Sequence, residues 1–250
     1  LKLSNLALAV LLPCLANCQE KPAPRPPAKP RTDLKLSDHP KAAAAAANVR
    51  AGLDRDLGAA GLRLGDPIFL RAFKEEMQVE LFVRDETTGH YEKFRTYKIA
   101  ASSGILGPKL AEGDGQVPEG FYAVPLAKLN PDSRYHLSFD IGYPNALDTA
   151  LGRTGSLIML HGNAVSIGCL AMTDPKIEEI YTLADAALRN GQPFFRVHIY
   201  PFRMTSERLA QAAGNPNEPF WQNLKQGYDL FEANHVPADA SVENGRYVFK

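Results

Sequence analysis

Cysteine is scarce in this chain: 250 residues contain three, and two of them, Cys14 and Cys18, fall near the N-terminus. A single unpaired thiol, Cys169, is left for the folded part, where such a residue is flagged as reactive. Charge of one sign is lacking too. Lys plus Arg and Asp plus Glu balance at 28 each, which argues against a nucleic-acid partner, since such a surface needs a basic excess. Long apolar runs are missing: none reaches the eighteen or so residues of a membrane span. No internal repeat is visible. Gly107-Pro108-Lys109 lacks the Gly-Lys-Ser/Thr ending and the following helix of a phosphate loop.

What is present is an ordinary globular composition, 45% hydrophobic and 22% charged, enough for one sizeable domain with appendages. Lys2 followed by apolar Leu6 to Leu12 reads as an export signal over residues 1–18. Leu15-Ala16-Asn17-Cys18 is similar to a bacterial lipobox with Cys18 as a lipid-anchor site. Asn17 departs from the small residue usual there, and ordinary cleavage nearby is the alternative. Residues 19–37 are Pro-rich and predict an extended spacer. Residues 38–61 form a helical segment, with Asp38 as cap, Pro40 in the first turn and a run of alanines. From residue 62 to 250 the pattern is that of one domain. Period-two alternation marks strands near 68–73, 77–84, 91–100, 121–124, 136–139 and 194–200, each with one buried face. Helices are expected at about 174–189, with an Ile177, Ile180, Leu183, Leu188 stripe, and at 205–213 and 220–233. A Gly-rich loop, 102–118, reads as a surface loop or a cleft wall.

The chemistry concentrates in His161-Gly162-Asn163-Ala164-Val165-Ser166-Ile167-Gly168-Cys169-Leu170. An apolar run, Leu157 to Leu160, delivers His161 on a strand. A tight loop delivers Cys169, and Thr173-Asp174-Pro175 starts a helix. An imidazole eight residues from a thiol can fold back to it, with His as base, thiolate as nucleophile, and the backbone N–H groups near Gly168 and Cys169 for an oxyanion. An activated thiol of this kind is expected to alkylate faster than free cysteine near neutral pH. Two other readings of these residues are a buried, inert structural cysteine and a metal site from His161, Cys169, His198 and His136, whose spacing matches no common zinc pattern. A papain-like protease has its Cys near the mature N-terminus and its His far downstream, the reverse of this order. On the strand near 194–200, Arg196 and His198 share the face opposite Phe195, Val197 and Ile199, a face expected to look into the cleft; a structural His is the alternative.

His161-Gly162 followed by Ser166-x-Gly168-Cys169 resembles the signature of the L,D-transpeptidase (YkuD-type) catalytic domain family, in its YafK-like branch. Gly104 to Lys109, Gly113 to Gly115, Pro118 to Tyr122, His136 to Phe139, Gly152 to Ser156 and Phe194 to His198 are similar to that branch as well. The resemblance implies an α+β fold, mainly a β sandwich or barrel core with peripheral helices. It implies a Cys169 nucleophile, a His161 proton donor and acceptor oriented by the Gly162 carbonyl, and no cofactor or metal. It also implies peptidoglycan stem peptides as partners in the periplasm of a Gram-negative bacterium. Ser166 is expected to shape the loop, and Tyr143 and Arg153 are candidates to line the cleft, where the planar fork of Arg153 suits a stem-peptide carboxylate; a solvated surface Arg is the alternative. The family's Ser-His-Gly-Cys-x-Arg pattern reads here with Ile167 for the His and Ala171 for the Arg. The branch also includes hydrolases that release a peptidoglycan-linked lipoprotein by cutting its diaminopimelate–lysine link. The expected function is therefore cysteine-dependent acyl transfer, cross-linking or remodelling the wall, with that hydrolysis or a non-catalytic wall-binding module as alternatives.

Overall fold

The computed structural model describes residues 27–250. The expected export signal, with Cys14 and Cys18, and spacer residues 19–26 lie outside the described residues. In chain order the elements are α1 (Pro40–Ala59), β1 (Ile68–Phe73), β2 (Gln78–Arg84), β3 (Tyr91–Lys98), β4 (Gly120–Pro125), β5 (Leu129–Asn130), β6 (Ser138–Asp140), α2 (Ala146–Ala150), β7 (Met159–His161), β8 (Leu170–Ala171), α3 (Asp174–Arg189), β9 (Phe194–Tyr200), α4 (Ser206–Ala210), α5 (Glu218–Asn234), β10 (Ala240–Glu243) and β11 (Arg246–Phe249).

The fold is α+β with a mainly β core. A five-stranded sheet has the order β3-β2-β1-β9-β4, antiparallel except where β1 meets β9. A four-stranded sheet has the order β5-β6-β7-β8. Alternation sends Leu70, Ala72, Leu81, Val197 and Ile199 to one side of the large sheet, where they share a core with Phe139, Leu160 and Leu170 of the small one. The Phe139 and Phe195 rings meet edge-on across that core at 5.2 Å between centroids. The buried stripe of α3 and the small residues Ala42 and Ala45 of α1 close it from outside. The run of alanines has high helix propensity and lets α1 lie close on α3.

Two expectations change. β1 has no solvent face, because every one of its residues is buried. Phe69, Arg71 and Phe73 point away from the inter-sheet core, but α5 covers them with Phe231, Tyr228 and their neighbours. The described part of the Pro-rich spacer is likewise no free tether. Ala28 N–H donates to Gly58 O at 3.0 Å, Ser37 N–H donates to Asp185 at 2.6 Å, and Leu34 and Leu36 pack on the core.

Candidate active site

His161 is the last residue of β7, and Cys169 immediately precedes β8. These strands run parallel, with Leu160 opposite Leu170 and His161 opposite Ala171. Parallel neighbours normally need a crossover of about a dozen residues or more. Here loop 162–169 has only to climb back past strands of three and two residues. The register sets Cys169 level with Met159, whose N–H lies 3.4 Å from Cys169 Sγ. Leu160 and Leu170 enter the core, so alternation turns Met159, His161 and Cys169 to the other face. His161 and Cys169 lie on that face one step to either side of the Leu160–Leu170 pair.

His161 Nδ1 lies 2.5 Å from the Gly162 carbonyl. With its proton on Nδ1 the imidazole donates to that oxygen, which leaves Nε2 as the acceptor. Gly162 is a glycine for a spatial reason: a Cβ there would lie 2.6 Å from Asp174 Oδ1 and 2.7 Å from the Tyr135 carbonyl. Asp174, at the start of α3, also takes the Asn163 N–H at 2.7 Å, which pins the loop's entry. The Tyr135 ring packs on the His161 ring at 4.7 Å and is itself 44% exposed, so it presents its other side outward. The sequence reading missed Tyr135, and nothing in its local pattern distinguishes it.

Burial holds His161 below the ordinary imidazole pKa, against the opposing pull of the Gly162 carbonyl. Burial also pushes the Cys169 thiol up; the Met159 N–H pulls it back, Asp140 adds to the rise and Lys109 opposes it. Burial therefore favours the neutral form of both groups, and the thiol's own contacts are the Met159 N–H and, at 3.8 Å, the Leu157 carbonyl. Burial thus pulls against the fast alkylation expected of Cys169, while the Met159 N–H favours it.

Both backbone donors assigned to an oxyanion are already engaged. Gly168 N–H donates to Ser103 Oγ at 2.6 Å, and Cys169 N–H donates to Ser166 Oγ at 2.9 Å. Ser166 O–H in turn donates to the Cys169 carbonyl at 2.6 Å, closing the loop on itself.

Several residues predicted for the cleft lie elsewhere. Tyr143 is buried, its hydroxyl donating to the carbonyls of Lys109 at 3.2 Å and Thr154 at 3.3 Å. Arg153 is not free for a carboxylate: it pairs with buried Asp148 at 2.8 Å and lies over the Phe220 ring. His198 is fully buried between the Phe69 and Phe121 rings, with centroids 4.6 Å away on each side, and neither ring nitrogen has a hydrogen-bond partner. Arg196 on the same face pairs with Asp239 at 2.8 Å. That face of β9 looks toward the C-terminal elements, the opposite side from the small sheet. His136 pairs with Glu178 at 2.8 Å, so the four-residue metal constellation is not assembled. At the two positions that depart from the family pattern, Ile167 is 89% exposed and Ala171 is wholly buried, its N–H and carbonyl bonded to the backbone at 100–101.

The Gly-rich loop is a pinned wall. Buried Glu119 accepts from Gly107 N–H, Lys74 Nζ and Trp221 Nε1 at 2.7, 3.0 and 2.8 Å. Lys74 Nζ also donates to the carbonyls of Gly107 and Val117, so one ammonium holds both roots of the loop. Burial pulls Lys74 below its ordinary pKa, with Glu119 opposing. At the loop's tip, burial alone would raise the Asp114 carboxyl, but Lys109 and the N–H groups of Ala111, Gln116 and Leu110 hold it at about 2.

A mainly β core carrying this His–Cys loop defines the L,D-transpeptidase type of domain. The L,D-transpeptidase catalytic domain (YkuD) family model matches residues 70–199, and the chain belongs to that family. Among curated relatives, YafK of Escherichia coli (strain K12), provisionally named an L,D-transpeptidase, is 46% identical over 185 residues, 74% of this chain and 74% of its own length. Among solved structures, a mutant of the helical cell shape determining protein Pgp2 from Campylobacter jejuni aligns with TM-score 0.45 and 21% identity. The alignment covers 68% of this chain and 57% of that one. Bd1075 of Bdellovibrio bacteriovorus aligns with TM-score 0.38 and 19% identity over 72% of this chain and 78% of its own. These two likenesses are too distant to bear on activity.

Proposed function

We propose that the protein is an exported, periplasmic enzyme that transfers acyl groups of peptidoglycan stem peptides through a Cys169 thioester. The observation that carries this reading is the shared face of β7 and β8, where an imidazole locked through Nδ1 stands on the same side as the family's thiol. Family membership and the YafK relative supply the substrate class.

The chemistry starts from the neutral forms that burial favours. His161 Nε2 takes the thiol proton as Cys169 Sγ attacks the peptide carbonyl. The tetrahedral intermediate collapses, the C–N bond breaks, and imidazolium returns the proton to the leaving amine. An acceptor amine or a water then attacks the thioester, giving up a proton to His161, and the thiolate leaves and is reprotonated. The Gly162 carbonyl stabilises the imidazolium in both halves. No step calls on a cofactor.

The test is mass analysis of the protein incubated with peptidoglycan fragments, lipoprotein-linked ones included, beside Cys169→Ala. Cross-linked or amine-exchanged products that depend on Cys169 establish the transferase. Cleavage of the diaminopimelate–lysine link with water incorporated makes it a hydrolase on the same intermediate. No Cys169-dependent product leaves the wall-binding module.

A further inference from the structure

Gly168 has no side chain to anchor it and sits at φ +94°, a conformation that glycine reaches freely. Something else must orient the peptide that leads into the nucleophile. Ser103 Oγ does so from the wall loop: it accepts Gly168 N–H at 2.6 Å and donates to the Gly115 carbonyl at 2.7 Å. The proton of the hydroxyl and one of its lone pairs are both used, which makes it a two-ended clamp. The two loops are also in contact, since a Cβ on Gly168 would lie 3.4 Å from the Gln116 carbonyl oxygen. The wall end of the clamp is firm. Gln116 N–H donates to Asp114 at 3.0 Å, and the Gln116 side-chain oxygen accepts Ile105 N–H at 2.9 Å.

We propose that Ser103 is a positioning residue for Cys169: its hydroxyl ties the nucleophile loop to the wall loop and so sets the direction of the thiol. It does not contact the sulfur. It fixes the Gly168 peptide, Ser166 fixes the N–H and carbonyl of Cys169, and the sulfur is thereby held against Met159 N–H. Without the hydroxyl, Gly168 N–H and the Gly115 carbonyl lose their partner and the peptide is free to turn. The sulfur then drifts from the Met159 N–H that favours its thiolate. Small misplacements of a reacting group cost large factors in rate. The consequence for turnover rests on the proposal that Cys169 is the nucleophile; the consequence for the thiol does not.

The experiment uses the full chain with Ser103→Ala, Ser103→Thr and Ser103→Val. Thr and Val share a shape and differ in the hydroxyl. Iodoacetamide alkylation is followed against pH at the Cys169-bearing peptide by mass spectrometry, so Cys14 and Cys18 do not contribute. Turnover of peptidoglycan fragments gives kcat and KM separately. The expected result is that Ala and Val move the alkylation midpoint to higher pH and lower kcat about tenfold, with KM changed less than about twofold, while Thr stays within about threefold of the parent. Val matching Thr at the thiol overturns the proposal, as does a Thr–Val difference seen only in melting temperature. If Ala does not fold, the Thr–Val pair decides. Full turnover by Cys169→Ala would sink the nucleophile reading, while the alkylation profiles still decide the clamp.

Discussion

His161 and His198 occupy equivalent-looking places, each on a strand with an apolar residue before it and each removed from solvent. One ring has a carbonyl 2.5 Å from Nδ1, a half-exposed tyrosine over it and a thiol on the same face. The other lies between two phenyl rings with both nitrogens unpartnered. Both are pushed toward the neutral form by burial, His198 much further. A depressed imidazole pKa is thus no mark of a site by itself. What separates the two is that one nitrogen of His161 is fixed by a carbonyl, whereas neither nitrogen of His198 has a partner.

The largest test of that contrast is at the thiol. Cys169→Ala is expected to lower turnover by about 10⁴-fold or more, and His161→Gln by about 10²–10⁴-fold. His198→Phe is expected to stay within about twofold; equal losses from both histidine variants, measured on peptidoglycan fragments, would break the contrast.

Next in size is the anchor of the wall. Glu119→Gln leaves the Lys74 ammonium buried without its carboxylate, a change that costs about 3–5 kcal/mol. Urea unfolding measures it, and a loss below about 1 kcal/mol would mean the network is not holding the loop.

The two histidines should also differ in stability against pH. An imidazole whose pKa is lowered by folding contributes stability above its unfolded value near 6.5, and that stability is lost as pH falls below it. His198 faces Arg196 and Arg71, which oppose its protonation beyond the effect of burial. Below pH 6.5 the parent should lose up to about 1.4 kcal/mol per pH unit more than His198→Phe. Parallel unfolding free energies of the two proteins from pH 7 to 5 would contradict the placement of His198.

The smallest effect expected is at Tyr135. Loss of its ring from His161 in Tyr135→Ala should slow turnover about two- to tenfold, the worth of one aromatic contact, with Tyr135→Phe close to the parent. A Phe variant as slow as Ala would shift the role from the ring to the hydroxyl.

The sequence carried the local half of this arrangement. The His161 to Cys169 spacing, the strand before it and the α3 stripe after it all lie within one stretch, where periodicity and turn residues speak directly. The α+β class followed from the same signals together with the family resemblance. Partners far apart in the chain were silent. Ser103 meets Gly168 from 65 positions away, and Trp221 meets Glu119 from 102. Period-two alternation said that Arg196 and His198 share a face, but it could not say that this face is roofed by the C-terminal elements. The Tyr143 hydroxyl spent on backbone carbonyls and the Tyr135 ring on His161 were silent for the same reason, since only the fold shows them.

The family match ends at residue 199, yet Glu119, which secures the wall beside the thiol, takes one of its hydrogen bonds from Trp221 in α5. The unit that holds this wall is therefore larger than the matched segment. A graft or trimmed fragment built on residues 70–199 would carry His161 and Cys169 but would leave behind part of what hangs the wall in place. A change in α5 that removes the Trp221 donor would reach the wall loop from outside the matched segment.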